Sequence, residues 1–169
     1  MSIACDAITY EEMRNFLYSE SRALDDKQWD AWLAHYDKEA EFWVPSWDDD
    51  GELTTDPQSE ISLIYYARRD GLEDRVFRIK TERSSASSLP EPRTQHMIGN
   101  IELLTSSAHD AEVRYSWLTN SYRYKTTDTY YGSGFLTLVR GDDGALKIKR
   151  KKVVIKNDCI HHVVDVYHL

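Results

Sequence analysis

The feature that most constrains this fold is a change in hydrophobic pattern near Arg93. Beyond it, four runs rich in Ile, Val, Leu, Thr and Tyr follow one another, each long enough for an extended strand. We predict strands over 94–105, 111–124, 130–140 and 145–156, divided at Ser106-Ser107, Thr126-Thr127-Asp128 and Gly141-Asp142-Asp143-Gly144. The last division is typical of a hairpin turn, because Asp and Gly tolerate left-handed backbone geometry. This half of the chain therefore predicts an antiparallel meander.

The first half of the chain has mostly helical spacing. An amphipathic helix is predicted over 9–24, where Thr9 and Glu12 have the spacing of a capping box. A second short helix is expected from about Asp26, forming an angled hairpin with the first. Its predicted apolar side carries Trp29, Trp32, Leu33 and Tyr36. Helices followed by a long meander indicate an α+β fold.

Three further elements connect these two halves. A strand over 40–45 and a buried strand over 61–66 are predicted from their β-branched and aromatic residues. A third helix is predicted to begin at Asp70, and residues 84–92 have no periodicity and are predicted to form a loop. No repeat or long linker divides the chain, so we expect one domain over 1–169.

Charge limits the class of partner. Lys and Arg number 21 against 29 Asp and Glu, and the net charge of −8 disfavours nucleic acid. The basic run 147–152 is expected to be a solvated strand face or rim, although it could also meet an acidic patch on a protein partner.

The sequence also suggests a compartment. No stretch approaches the roughly 18–20 apolar residues needed to cross a bilayer, which predicts no membrane partner. The N-terminus lacks the basic and hydrophobic regions of a signal peptide. Cys5 and Cys159 lie far apart and outside any CxxC motif, so we expect two reduced thiols and a cytoplasmic protein.

The histidines do not form a recognisable metal-binding pattern. Six are present, but no HxH, HExxH or Cys-His cluster occurs, and the two Cys-x-His pairs of a Rieske site are absent. His161 and His162 are adjacent on an extended segment, so their side chains should point to opposite faces. We therefore predict no metal ligand in this chain.

A polar pocket between sheet and helices is one place where chemistry could occur. Its candidate residues are His35, Tyr36, Asp37 and Tyr115, since an Asp or a His–Asp pair could move a proton there. The alternative is structural: His35 and Asp37 lie at a helix C-terminus, where His favours the helix dipole and Asp caps the turn. Nucleotide-binding and hydrolase motifs are absent from the sequence.

Three stretches together resemble the β (small) subunits of aromatic-ring-hydroxylating dioxygenases. Residues 75–81 and then 92–100 are similar to a helix, a loop and the proline-arginine-threonine/serine-x-histidine signature of that family. Residues 41–45 and the acidic stretch 47–51 are similar to its early strand and loop. The ending over 154–169 resembles the benzoate, toluate and anthranilate 1,2-dioxygenase branch in particular. The likeness spans nearly the whole chain, and the order and spacing of the stretches carry it.

The resemblance implies a nuclear-transport-factor-like cone, with a curved, mostly antiparallel sheet packed on an N-terminal helix hairpin and a third helix. It also implies a homotrimer of β within an assembly of three α and three β subunits. In such enzymes the α subunit carries a Rieske [2Fe-2S] cluster and a mononuclear iron, and a separate reductase supplies electrons from NADH. The reaction cis-dihydroxylates an aromatic ring, here expected to be a benzoate-type carboxylate in aromatic catabolism. The β subunit is mainly structural, so no catalytic or cofactor-binding residue is predicted here.

The resemblance therefore predicts contact residues. Arg93, Thr94 and His96 match the family signature and are expected to order the loop and its contacts. The alternative is a strand start fixed by an ion pair between Arg93 and an acidic neighbour. Trp43 and Trp47 are expected on an exposed corner as interface anchors.

The tail over 160–169 is apolar at alternate positions and is expected to dock, either on its own sheet edge or on a neighbouring subunit. His161, His162 and Tyr167 are its candidate interface residues.

Two other functions stay open at the level of sequence. A stand-alone enzyme resembling scytalone dehydratase or ketosteroid isomerase would need an open pocket with converging Asp, His or Tyr side chains. A binding module for a small aromatic ligand would have an apolar pocket without acid or base groups. A structural subunit should instead have a filled or apolar interior and a large exposed hydrophobic surface.

Overall fold

A computed structural model describes residues 6–81 and 90–169 of the chain. The helices are α1 (Tyr10–Asp25), α2 (Trp29–Leu33) and α3 (Arg69–Lys80). The strands are β1 (Tyr36–Pro45), β2 (Ser62–Tyr66), β3 (Arg93–Ser106), β4 (Asp110–Arg123), β5 (Thr126–Arg140) and β6 (Leu146–Ile155), followed by a 3₁₀ turn over Val166–His168. The α+β prediction is confirmed. Cys5 and most of the predicted loop over 84–92 lie outside the described residues.

The six strands form one sheet in the order β2-β1-β6-β5-β4-β3. All neighbouring strands are antiparallel except β1 and β6, which run parallel. The predicted meander is therefore present from β3 to β6. The parallel pair joins an early strand to the last one, and this makes the sheet mixed.

One face of the sheet carries the core. Along β4, alternate residues from Ala111 to Ser121 are buried, as expected for a strand with one face covered. Helix α1 buries Met13, Leu17 and Leu24 in the same core, and its N-terminus has the predicted capping box. None of the described helices has the length and apolar character needed to cross a membrane.

Three local predictions are corrected. Tyr36 begins β1 instead of ending a helix, because it pairs with Ile148 of β6. The strand over 61–66 is an edge strand and not a buried one: Ile61 and Leu63 are exposed. The β4–β5 turn lies at Tyr124 and Lys125, not at 126–128, and both residues adopt left-handed φ values of 51° and 63°.

Candidate functional site

A buried carboxylate, Glu20 of α1, lies at the centre of the core. Its Oε1 atom accepts hydrogen bonds from Trp32 Nε1 at 2.8 Å, Tyr36 Oη at 2.9 Å and Lys151 Nζ at 2.9 Å. The side chains of Glu20 and Lys151 are only 6% and 2% exposed, so this ion pair is shielded from water. One carboxylate oxygen thereby joins α1, α2, β1 and β6.

Burial and neighbouring charge compete to set the ionisation of this cluster. Burial opposes a charge on Glu20, but the Lys151 ammonium and the hydrogen bonds from Lys151, Trp32 and Tyr36 outweigh it and lower the pKa of the carboxyl group. Burial also opposes a charge on Lys151, and the Glu20 carboxylate outweighs it and raises the pKa of the amine. Burial, then Glu20, raises the pKa of Tyr36 well above its ordinary value. None of these groups is therefore tuned to exchange protons near neutral pH.

Tyr115 of β4 completes the interior. A Cβ atom added at Gly134, its partner on β5, would lie 2.1 Å from Tyr115 Cζ, so glycine leaves the room that the ring needs. Burial raises the pKa of Tyr115, and Lys151 and Glu20 are the charges that act on it. The space between sheet and helices is thus occupied by buried side chains.

The predicted catalytic pocket does not form. Of its four candidates, Tyr36 and Tyr115 lie in the filled interior, whereas His35 and Asp37 lie outside it. His35 follows α2, with Nδ1 2.8 Å from the Ala31 carbonyl oxygen, so the alternative prediction of a helix C-terminus is confirmed for it. Asp37 lies within β1, where its carboxylate accepts a hydrogen bond from the Glu39 backbone N–H at 2.9 Å.

The basic run over 147–152 is not a uniformly solvated strand face, which corrects that prediction. Lys149 and Arg150 are exposed, but Lys151 is buried. Between the pairs Leu138–Ile148 and Thr137–Arg150 the strand register shifts, so Lys149 is an extra residue in β6. Such a bulge reverses the alternation of side chains, and Ile148 and Lys151 both face inward.

The predicted signature residues meet the end of α1. The Asp25 carboxylate accepts hydrogen bonds from Thr94 Oγ1 at 3.1 Å and from the His96 backbone N–H at 2.9 Å, and it lies 2.6 Å from His96 Nδ1. The His96 side chain is buried. Arg93 is exposed, and no ion pair joins it to an acidic side chain among the described residues. Asp25, and not Arg93, therefore fixes the start of β3.

Trp43 and Trp47 occupy different environments. Trp43 is 3% exposed, its Nε1 donates a 2.9 Å hydrogen bond to Ser62 Oγ, and the Lys152 ammonium lies 4.7 Å from its ring centroid. It is not on an exposed corner, because β2 and Lys152 cover it. Trp47 is 44% exposed, and its Nε1 donates to the Ile155 carbonyl oxygen. Of this pair, only Trp47 has an exposed ring.

The tail docks on its own chain, but against α3 and the core and not on a sheet edge as predicted. Asp165 forms an ion pair with Arg75 of α3, in which Arg75 Nε donates to Asp165 Oδ1 at 2.8 Å. Tyr167 is buried in the core, whereas His161 and His162 are exposed. The two histidines are thus the candidate contact residues of the tail that remain on the surface.

Sequence reasoning missed Glu20, Asp25, Lys151 and Asp165. For Glu20 a signal existed: it lies three residues after Leu17 and four before Leu24, on the apolar side of α1. A carboxylate at such a position must find a buried partner. The other three residues depend on contacts distant in sequence, which no local pattern marks.

Comparison with known proteins identifies the family. Residues 19–162 match the family described as the ring-hydroxylating β subunit. The chain belongs to this ring-hydroxylating β-subunit family. It is 57% identical over 162 residues to the β subunit of toluate 1,2-dioxygenase from Pseudomonas putida, covering 96% of this chain and 99% of the relative. The β subunit of benzoate 1,2-dioxygenase from Burkholderia mallei has a crystal structure that matches with a TM-score of 0.80, at 50% identity over 96% of this chain and 98% of that one.

The same fold occurs outside the ring-hydroxylating β-subunit family. A candidate scytalone dehydratase from Novosphingobium aromaticivorans matches with a TM-score of 0.66 and 18% identity, over 92% of this chain and 90% of that one. This likeness shows the shared fold alone, and it confirms the nuclear-transport-factor-like prediction. The family match supports the subunit function over the dehydratase alternative.

Proposed function

We propose that this chain is the mainly structural small subunit of a multicomponent dioxygenase that cis-dihydroxylates a benzoate-type carboxylate in the cytoplasm. The observation that carries the proposal is the filled interior. The space where a cone-shaped enzyme would hold substrate is occupied by the Glu20–Lys151 pair with Trp32, Tyr36 and Tyr115. The related chains from toluate and benzoate dioxygenases support the class of substrate.

The redox groups of the proposed enzyme belong to its large subunit. The family implies a Rieske [2Fe-2S] cluster and a mononuclear iron, with electrons delivered from NADH by a reductase. Within residues 6–81 and 90–169, no three His, Cys, Asp or Glu side chains are grouped to hold a metal ion, so the described donors do not fit these groups. The contribution of this chain is to present a rigid surface to the subunits that do.

The proposed assembly has three α and three β subunits, with the β subunits as a trimer. Four of the candidate contact residues, Trp47, Arg93, His161 and His162, have exposed side chains that suit direct contact. The other four, Trp43, Thr94, His96 and Tyr167, are buried or half-buried and would act by fixing the surfaces beside them.

Coexpression tests the proposal. The chain is produced with the large subunit of a benzoate-type dioxygenase, and the purified complex is supplied with reductase and NADH. We expect copurification, a light-scattering mass consistent with three copies of each subunit, and oxygen uptake with benzoate-type substrates. Failure to copurify, or full activity of the small chain alone, would overturn the proposal.

A further inference from the structure

A cleft opens at the end of the sheet where β4 turns into β5. Its volume is about 350 Å³, within the range of small-molecule sites. The end of β4, the start of β5 and the tail line it, chiefly through Ser121, Arg123, Tyr124, Asp128, Tyr130 and His168. The filled interior accounts for none of these residues.

Three of the lining side chains are buried and polar. Ser121 and Tyr130 are each 4% exposed and His168 is 5% exposed. The hydroxyl groups of Ser121 and Tyr130 form no hydrogen bond with any other residue that the structure describes. Each hydroxyl can both donate and accept, so both groups are open to a ligand in the cleft. Thr119 pairs with Tyr130 across the sheet, and its Oγ1 is a buried atom without a hydrogen-bond partner in the described part of the chain.

His168 supplies a neutral donor. Its Nδ1 atom accepts a 3.0 Å hydrogen bond from the Asp165 backbone N–H, so the ring proton lies on Nε2. Burial, with the positive charges of His96, His162 and Arg123, lowers the pKa of His168 to about 3. The ring therefore stays neutral at physiological pH and keeps its Nε2–H donor.

Arg123 brings a permanent positive charge to the lining of the cleft. The Arg123 guanidinium lies 4.7 Å from the centroid of the Tyr124 ring and donates to Tyr124 Oη at 3.2 Å. The acidic residue of the lining, Asp128, lies 3.5 Å from His162 Nε2 at the rim. Its charge is thus opposed by His162 whenever that ring is protonated.

The rest of the lining suits a flat aromatic ring. Tyr124, Tyr130, Pro92 and Val163 contribute aromatic and apolar surface to the same cleft. The Tyr130 ring packs against His168 at a tilt of 32°, with ring centroids 4.8 Å apart, and this contact holds it in place. Aromatic surface beside hydroxyl, imidazole and guanidinium donors matches a molecule with an aromatic ring and a carboxylate.

We propose that this cleft binds a small aromatic carboxylate, with the carboxylate held by Arg123, Ser121 and the Nε2–H of His168 and the ring against Tyr124 and Tyr130. The choice of ligand rests on the proposed function, because toluate and benzoate are substrates named for related complexes. The cleft would give this chain its own means of sensing the substrate class of the enzyme that it supports.

Calorimetric titration of the full chain tests the inference, with benzoate as the probe. Benzamide keeps the ring without the charge, and cyclohexanecarboxylate keeps the charge without the aromatic ring. We expect saturable binding of benzoate and about tenfold weaker binding of each analogue. No saturable binding of benzoate, or equal binding of all three compounds, would overturn the inference.

Matched variants locate the site. Tyr130→Phe removes only a hydroxyl inside the cleft, and Tyr131→Phe makes the same change at the next residue, which is outside the lining. Arg123→Gln has its match in Arg114→Gln, at an arginine packed over Phe135. We expect Tyr130→Phe to weaken benzoate binding by roughly three- to tenfold and Arg123→Gln by about tenfold, with both control variants unchanged.

Two further results keep the test decisive. If Arg123→Gln lowers the melting temperature, Ser121→Ala replaces it as the second cleft variant. Binding that is insensitive to Tyr130→Phe and Ser121→Ala would contradict the site. Copurification with the large subunit is scored separately. If the chain assembles with the large subunit but does not bind benzoate, this inference alone is overturned. If the chain binds benzoate but does not assemble, the proposed function alone is overturned.

Discussion

Lys151 lies 131 positions after Glu20 in the sequence, yet its ammonium group donates a 2.9 Å hydrogen bond to the Glu20 carboxylate inside the core. This contact ties the last strand of the sheet to the first helix. It also fills the interior that a stand-alone enzyme of this shape would need for substrate.

Removing one partner of this pair should be strongly destabilising. In Lys151→Met the Glu20 carboxylate stays buried without its counter-charge, and we expect the free energy of unfolding to fall by about 3–5 kcal/mol in urea titrations. Lys149→Met, two residues away and exposed, should change it by less than about 0.5 kcal/mol. The double variant Glu20→Gln/Lys151→Met should recover part of the loss, since a Gln oxygen still accepts from Trp32 and Tyr36. Equal losses in the two lysine variants would contradict the burial argument.

Asp25 should be the residue that holds β3 to α1. Asp25→Ala leaves the Thr94 hydroxyl, the His96 amide and the buried His96 ring without their acceptor, and we expect a loss of about 2–3 kcal/mol in thermal or urea unfolding. Asp26→Ala is the matched control, because Asp26 is the exposed next residue. The idea fails if the two alanine variants are equally stable.

His168 should make the fold sensitive to mild acid. The unfolded chain binds a proton at this ring below about pH 6.5, whereas the folded chain does so only near its lowered pKa of about 3. The unfolded state therefore takes up more protons in this window, and stability that is complete above pH 6.5 is lost as the pH falls toward 3. Between pH 7 and pH 5 the loss from His168 should be about 2 kcal/mol.

Comparison of two histidine variants isolates this effect. His168→Gln should remove that part of the pH dependence in urea unfolding measured at pH 7 and pH 5. His109→Gln, at an exposed histidine, should leave the pH dependence as it is in the unaltered chain. Identical pH profiles for all three proteins would show that His168 is not the titrating group.

Trp47 should contribute to binding of the large subunit. Loss of a central aromatic anchor typically costs about 2 kcal/mol or more, so Trp47→Ala should weaken the association by roughly thirtyfold in a surface-binding assay. Phe77→Ala removes another exposed aromatic ring, on α3, and serves as the control. Equal affinities of the two variants would argue against a contact at Trp47.

The order of elements could be predicted because its signals are local. The capping box at Thr9 and Glu12 marks the start of α1, and the strands from β3 to β6 follow runs with strand-like composition. The turn at Tyr124 and Lys125 was misplaced because neither residue is a Gly, Asn or Asp, the usual residues of left-handed turns. Residue type alone therefore does not predict a left-handed conformation at a residue such as Tyr124 or Lys125.

The buried charges could not be predicted because they depend on register and on distant partners. Simple alternation along 147–152 would put Lys151 and Ile148 on opposite faces of the sheet. The bulge at Lys149 puts both on the inner face. The sequence predicts an exposed Trp43 because it lies beside Pro45 on a corner of the chain, but the adjacent edge strand β2 covers its ring. In both cases the environment comes from the sheet and not from the neighbouring sequence.

The parallel pairing of β1 with β6 has a consequence for biosynthesis. As the chain leaves the ribosome, α1, β1 and β2 emerge first. Strand β1 cannot pair with β6, its neighbour inside the sheet, until almost every other residue has been translated. During that interval Glu20 and the aromatic residues around it face water or chaperones. Folds dominated by such distant pairings form slowly, so the supply of this chain in the cell should depend on protection of the nascent polypeptide as much as on its final stability.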